Sequence, residues 1–293
     1  MLNFKQIEKS DIKKYRAFYS DDEIGCEANM VSAYLWNREY LIKFAVFDDT
    51  LIKAYFRSDG RLWGYCFPHG KNVKGALKAI ADDAKENDRQ PYMGYMSRKE
   101  REEFERLCTG KYIFEPSTTT QDYIYLTEML AELPGKKYHA KRNHISKFNR
   151  TFPDSRTEPI TEENAADALK VAELWCLENE LNPNEHAEYA VIKEALENLN
   201  EFEMRGLILY VNQTPVAMTL GSEISPLCFD VNFEKALRDY EGSYAVINNE
   251  FAKTLTNYKY LNREEDMGLE GLKKSKLSYH PEIIYERFDG IPK

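Results

Sequence analysis

No stretch of this sequence approaches 18 consecutive apolar residues, so no membrane-spanning helix is expected. No secretory signal is expected either, because Met1-Leu2-Asn3-Phe4-Lys5-Gln6 turns polar at once. The five cysteines, Cys26, Cys66, Cys108, Cys176 and Cys228, are odd in number, widely spaced and form no CxxC. That argues against a disulfide framework and a zinc knuckle, and the thiols read as buried and reduced in a cytoplasmic protein. The five histidines include no HExxH and no i,i+4 pair, so no metal site is expected. GxxxxGK[ST], GxGxxG and GxSxG are all missing, which argues against nucleotide hydrolysis, a Rossmann turn and serine hydrolysis. With 40 basic and 49 acidic residues the net charge is −9. A whole surface built for a polyanion is therefore disfavoured, but a local basic patch is not.

What is present is an ordinary globular balance: 293 residues, 43% hydrophobic and 30% charged. That apolar content is enough to outweigh chain entropy, and the length suggests about two domains. The 20 Tyr, 15 Phe and 3 Trp fall largely in short alternating runs, the mark of a strand-rich core with large side chains.

The first third opens with a strand at Leu2–Ile7, followed by a helix after Ser10 and a second through Val31 and Leu35. Three strands follow, Tyr40–Phe47, Leu51–Arg57 and Arg61–Phe67, with hairpin turns at Asp48-Asp49-Thr50 and Ser58-Asp59-Gly60. A helix over 71–87, a strand at Tyr92–Met96, and a helix to Cys108 opened by a Ser97/Glu100 capping box come next. Strands Lys111–Phe114 and Tyr123–Leu126 close the segment. The last half repeats the order: a strand Ser155–Ile160, a helix capped by Thr161, a helix over 187–199, then strands Leu207–Val211, Val216–Glu223 and Leu227–Phe233. A helix Ser243–Thr256, a strand Lys259–Arg263, a helix over 269–279 and a strand Ile283–Phe288 complete it. Both halves read β-α-α-β-β-β-α-β-α-β, which predicts a duplicated α+β unit. The expected division is 1–126, a connecting helical segment 127–153, and 154–293. The element order is that of the GNAT acyltransferase fold, an analogy that leaves function to the sites.

Charge is segregated along the chain. Residues 136–150 hold six Lys/Arg and no acid, whereas 154–205 hold 14 acids and 4 bases. On a helical wheel Tyr138, Ile145, Phe148 and Phe152 share one face, with Lys141 inside that apolar stripe and Arg142 beside it. Lys141 either snorkels over the core or lines a pocket and meets an anion. The run as a whole is either a solvated face or a contact for nucleic-acid or lipid phosphates.

The C-terminal half concentrates polar residues where a core is expected. In Leu227–Phe233, Asp230 and Asn232 alternate with Phe229, Val231 and Phe233, and belong either to a solvent face or to a cleft wall. Arg238-Asp239-Tyr240-Glu241-Gly242-Ser243-Tyr244 precedes a helix. There Gly242 permits close approach and the helix start suits a pyrophosphate, with capping by Ser243 as the alternative. The run approximates the GNAT donor-loop pattern Arg/Gln-x-x-Gly-x-Gly/Ala, with one glycine and one extra residue. Asn262, Glu264, Glu265 and Asp266 sit where a strand ends, with Asn262, Glu264 and Asp266 expected on one face. Leu269, Leu272, Lys276 and Tyr279 form the stripe of the next helix.

The run Asn262–Pro281, with Gly135–Tyr138, Lys141–Ile145 and Asn248–Ala252, resembles the C-terminal catalytic domain of the phosphatidylglycerol lysyltransferase family. The resemblance implies a tandem GNAT-like fold, related to the Fem-type aminoacyltransferases, and transfer of an amino acid from aminoacyl-tRNA to a lipid headgroup. It implies Tyr279 as the acid and Asp266 and Glu264 as general base or amine-recognition groups. Arg238, Gly242, Ser243 and Tyr244 would hold the donor. Lys141, Arg142, Asp230, Asn232, Asn262, Glu265 and Lys276 would bind substrate. The expected donor is acyl-CoA or aminoacyl-tRNA, with no tightly bound cofactor and no metal. The expected partners are a tRNA acceptor end at 136–150 and a lipid headgroup or small-molecule acceptor. The site is expected in the cytoplasm, with peripheral contact to a membrane left open. The competing reading is a GNAT-like module that binds an acyl donor, a tRNA end or an anionic ligand without catalysis. The first half, where His69 reads as a turn residue, is expected to shape a cleft and to carry no constellation of its own.

Overall fold

The computed structural model describes residues 2–293, the side chains of 118 and 119 excepted. In chain order the elements of the first part are β1 Lys5–Gln6, α1 Ile12–Arg16, α2 Met30–Leu35, α3 Asn37–Tyr40, β2 Ile42–Phe47, β3 Thr50–Phe56, β4 Leu62–Tyr65, β5 His69–Gly70, α4 Val73–Glu86, β6 Met93–Ser97, α5 Arg98–Leu107 and β7 Tyr112–Leu126. They continue with α6 Thr127–Glu132, α7 His139–Thr151, β8 Ser155–Pro159, α8 Ala165–Glu178, α9 Ala187–Glu197, β9 Arg205–Val211, β10 Thr214–Ser225 and β11 Cys228–Ala236. α10 Ser243–Thr254, β12 Tyr260–Asn262, α11 Glu270–Leu277 and β13 Ile283–Pro292 finish the chain. The architecture is α+β, with two GNAT-like units.

Local sequence sets most of these bounds. Asp48 and Asp49 both take positive φ (44° and 53°), which matches the twist of a two-residue hairpin and turns β2 back onto β3. Ser97 and Glu100 close the capping box of α5 from both sides, as the pattern predicts. Two expectations are corrected. The strands expected at 111–114 and 123–126 are one strand, β7. Helix α8 starts at Ala165 behind Asn164, not at Thr161: the Asn164 carboxamide accepts the Thr161 N–H (2.7 Å) and donates to Pro159 O (2.9 Å).

Two compact units emerge. The first ends at Asp122 and regains Glu265–Lys273 and Ile284–Lys293; the second is Tyr123–Glu264 with Lys274–Ile283. The first unit orders its strands β1-β2-β3-β4-β6-β13, and β4/β6 is its parallel pair. The second orders them β12-β11-β10-β9-β8 beside the end of β7, and β11/β12 is its parallel pair. In each, a helix (α4 or α10) links the last hairpin strand to its parallel neighbour, so the duplication is visible in the hydrogen bonding. The closing strands are exchanged along the chain: β13 pairs with β6 in the first unit, and Ile124–Leu126 of β7 pair with β12 in the second.

The first core gathers Ile52, Ala54, Tyr65, Ile80, Met93, Met96 and Phe104. The second gathers Tyr123, Tyr125, Phe148, Leu209, Phe229, Ile247, Phe251 and Tyr279. Phe148 of α7 is fully buried, and burial of such a side chain is worth about 1.5–3 kcal/mol. Ile145 and Phe152 pack on the same core, so the apolar stripe read from the sequence is the face that seats the basic helix.

Candidate active site in the second unit

Strand β11 brings Asp230 and Asn232 into the interior, where both are buried; the solvent-facing alternative does not hold. Asn232 holds three contacts: its Oδ1 accepts from Ser222 Oγ (2.8 Å), and its Nδ2 donates to Asp230 Oδ2 (3.2 Å) and Glu264 Oε1 (3.2 Å). Glu264 does not continue the alternation of β12. Strand pairing stops at Asn262, Glu264 takes φ 54°, and its N–H donates to Asn262 Oδ1 (2.7 Å). The expected shared face of Asn262, Glu264 and Asp266 is therefore broken by the backbone. Asp266 and Glu265 fall in the first unit, where the buried Asp266 accepts the Gly268 N–H (2.9 Å) ahead of α11.

A second constellation lies around Tyr279. This residue follows the end of α11 and does not sit inside a helix as expected; its ring is buried, and its carbonyl accepts from Tyr138 Oη (3.1 Å). Lys141 of α7 places its Nζ 3.7 Å from the Tyr279 ring centroid. Arg263 lies 5.0 Å from the same centroid and 5.8 Å from that of Tyr125, and its Nη2 meets Glu234 Oε1 at 2.8 Å. Glu234 also accepts from Asn248 Nδ2 (3.1 Å). Both partners of the Arg263–Glu234 pair are 11% exposed, so their mutual attraction is weakly screened.

The electrostatics follow from this packing. Desolvation first, and then the Arg263 charge, lower Lys141 to about 8, with Glu234 opposing. Burial pushes the Tyr279 phenol well above its usual value, so it stays protonated at neutral pH. Glu234 holds Arg263 charged against the cost of burial. Among the described residues, Arg263 Nη1 is a buried donor and Asn248 Oδ1 a buried acceptor without a hydrogen-bond partner. Buried polar groups in native proteins are normally satisfied, so the unused Arg263 donor, with the Lys141 ammonium on the same Tyr279 ring, marks a place for ligand oxygen.

Other expected residues are engaged in holding the fold. Lys276 is buried, and its Nζ donates to the carbonyls of Arg263 and Glu264 (3.1 Å to the latter), fixing the bend after β12. Tyr125 Oη closes the same region by donating to Lys276 O (2.8 Å). Arg142 Nη1 donates to Leu133 O and Gly135 O (2.8 Å to the latter), tying α7 to the turn before it.

At the other end of β11, Gly242 caps α10 with φ 98°, and no side chain caps the helix, so the Ser243 alternative is not observed. A Cβ at Gly242 would stand 2.9 Å from His144 O and 3.2 Å from Phe148 Cβ, which is why glycine is needed here. Arg238 is held by Glu178, which accepts its N–H (3.1 Å), and by Asn179 Oδ1 (2.5 Å). The half-exposed Tyr244 accepts from Trp175 Nε1 (2.9 Å), and Lys235 Nζ lies 3.8 Å over the Trp175 ring.

The model of the phosphatidylglycerol lysyltransferase C-terminal family matches residues 22–289. The chain belongs to that family. A conserved protein of unknown function from Bacteroides thetaiotaomicron is 36% identical, with a TM-score of 0.93 and full coverage of both chains. L-PGS from Bacillus licheniformis shares the fold at a TM-score of 0.71 and 12% identity, covering 99% of this chain and 93% of the other. An uncharacterized protein of Mycoplasmoides gallisepticum is 25% identical over 178 residues, 60% of this chain and 56% of that relative's length. For this member of the lysyltransferase family, Arg263 and Glu234 are the residues that sequence reading passed over. Arg263 lay within the quoted Asn262–Pro281 run, and Glu234 shared the polar face of Asp230 and Asn232 in the alternation, so the signal was there but the pairing was not. No group of three or more metal-ligating side chains occurs among the described residues, and no described helix is long and apolar enough to cross a membrane.

Proposed function

We propose that this protein is an aminoacyltransferase that moves an aminoacyl group from aminoacyl-tRNA to an amine or hydroxyl acceptor, with acyl-CoA as the alternative donor. The carrying observation is the buried, unused Arg263 Nη1 beside Lys141 on the Tyr279 ring, in a chain of the lysyltransferase family. The acceptor heteroatom attacks the donor carbonyl, a new C–N or C–O bond forms, and the ester C–O bond breaks. The acceptor proton passes to a carboxylate, for which Glu264 is the candidate in this unit, and the leaving oxygen takes a proton from Tyr279. Lys141 and Arg263 face the oxyanion that develops on the carbonyl. Asn248 Oδ1 and Glu234 are acceptors suited to a donor ammonium, a group that a simple acyl thioester lacks. Arg238, Gly242, Ser243 and Tyr244 hold the body of the donor, and the basic run of α7 meets the tRNA acceptor end. A lipid headgroup or a small amine serves as acceptor.

The test is a transfer screen with labelled aminoacyl-tRNAs and acyl-CoAs against wild type, Tyr279→Phe and Lys141→Met. Turnover with aminoacyl-tRNA that falls roughly 10²–10⁴-fold in the variants supports the reading. No turnover of either donor class, with ligand binding intact in both variants, refutes it in favour of a binding module.

A further inference from the structure

Helices α6, α7 and α10 of the second unit border an open groove of about 520 Å³. From α7 it takes Arg142, Ile145, Ser146, Asn149 and Arg150, the i, i+3, i+4, i+7 and i+8 positions of one helix face. From α10 it takes Asn249 and Lys253, one turn apart. The end of α6 brings helix carbonyls here, which by themselves would repel an anion. They are covered: the buried Asn249 donates from Nδ2 to Leu130 O (2.7 Å) and Ala131 O (2.8 Å), and Arg142 Nη1 donates to Leu133 O.

We propose that this groove seats the sugar–phosphate backbone of a single-stranded RNA, the acceptor end of the donor. The inference rests on the reading of α7 as the donor's contact, and it assigns that contact to one face of the helix and to Lys253 of α10. Three cations, Arg142, Arg150 and Lys253, line the groove against one carboxylate, Glu132. The partners of Arg142 Nη1 are carbonyls, which leave the guanidinium charge in place. Lys253 meets Glu250 at 2.7 Å, but that i,i+3 pair lies half-exposed on the helix surface and is weak, so a phosphate can take the ammonium over.

Spacing and composition narrow the ligand. Arg142 and Arg150 are eight residues apart, about 12 Å along the helix axis, with the Ser146 hydroxyl midway. A row of that length suits successive phosphodiesters better than a lone phosphate. No aromatic ring is among the lining residues, so bases find nothing to stack on, and the groove positions the strand without reading its sequence. A lipid surface is the poorer fit. A helix that docks on a bilayer presents apolar side chains to the acyl region, and among the described residues none of the exposed large apolar ones lies on α6 or α7.

The test follows the fluorescence anisotropy of a labelled hexaribonucleotide ending in CCA, titrated with the full chain across a salt series. Saturable binding is expected, and a hexamer of unrelated sequence should bind within about threefold. The double change Arg150→Gln, Lys253→Gln, at two exposed positions, should weaken binding roughly tenfold and lower the salt slope by about 1.4, since each phosphate contact contributes about 0.7. Cross-linking of a 4-thiouridine hexamer, mapped by mass spectrometry, tests the wild type alone and should mark peptides of α7 and α10. RNA bound in the groove with no transfer would uphold this inference and defeat the reaction. Binding that survives the double change but is lost in Lys136→Gln, Lys137→Gln overturns the groove and leaves α7 as the donor's contact. No RNA binding by the wild type overturns both. Vesicles of phosphatidylglycerol bound in place of RNA, and released by the double change, would give the groove to a lipid surface and overturn the proposal.

Discussion

Lys141 Nζ stands 3.7 Å from the centroid of the Tyr279 ring, with the Arg263 guanidinium on that ring as well. Two cations thus stand on one buried phenol, and Glu234 pairs with Arg263 and attracts Lys141. Desolvation and the Arg263 charge lower Lys141 to about 8, so its amine is in part neutral near pH 8 while surface lysines are not. Amine-selective acylation followed by mass spectrometry should give a midpoint near pH 8 for Lys141. Arg263→Gln removes a like charge and leaves Glu234, so the midpoint should rise. A midpoint in the ordinary lysine range in wild type would contradict the burial of this group.

Glu234 is the only ion-pair partner of Arg263 among the described residues. Glu234→Gln leaves a buried guanidinium without its counter-ion and should cost about 3–5 kcal/mol in urea unfolding. The double change Glu234→Leu, Arg263→Met should recover much of that loss, because it removes both desolvation penalties. A double variant no more stable than the single one would show that packing, not charge, dominates there.

Gly242→Ala combines a left-handed φ of 98° with a Cβ placed 2.9 Å from His144 O. A left-handed non-glycine residue alone costs about 1–2 kcal/mol, and the contact adds displacement of α7. The expected result is a lower thermal midpoint together with weaker donor binding. A midpoint within error of wild type would mean that α7 yields freely at this point.

Glu100 lies at about 2 in the folded unit against an ordinary 4.5: burial works against ionisation, and the His69 and Ser97 contacts overcome it. A depressed carboxylate contributes stability that is present above its unfolded value and lost as pH falls through the folded one. The difference corresponds to about 3 kcal/mol, lost between about pH 4.5 and 2. Glu100→Gln should therefore lower stability at pH 7 and flatten the acid limb of the pH–stability curve. An acid limb unchanged by the substitution would place the titration elsewhere.

The basic run of α7 predicts that any tRNA binding weakens steeply with salt, since each neutralised phosphate releases counterions. Filter binding across a salt series measures the slope, and charge removal at Lys136, Lys137 and Arg150 should reduce it. A flat response would remove α7 from the interface.

Much of this protein is set by local sequence. The Asp48-Asp49 turn, the Ser97/Glu100 capping box and the Tyr138/Ile145/Phe148/Phe152 stripe depend on neighbours within a few residues, and each appears where the pattern put it. The repeated element order and the family motifs are also read along the chain. Tertiary structure alone decided which charges meet. Glu234 and Arg263 are 29 residues apart, and Glu27 and Lys53 are 26 apart. Helix and strand periodicity does not reach that far, because pairing at such range is set by how hairpins and crossovers stack. The same holds for the exchanged strands β7 and β13 and for the break at Glu264, where a positive φ moved an alternation that β pairing would have kept. The charge of −9 says nothing of this: it is a sum, and burial, which differs from one carboxylate to the next, decides what each one does.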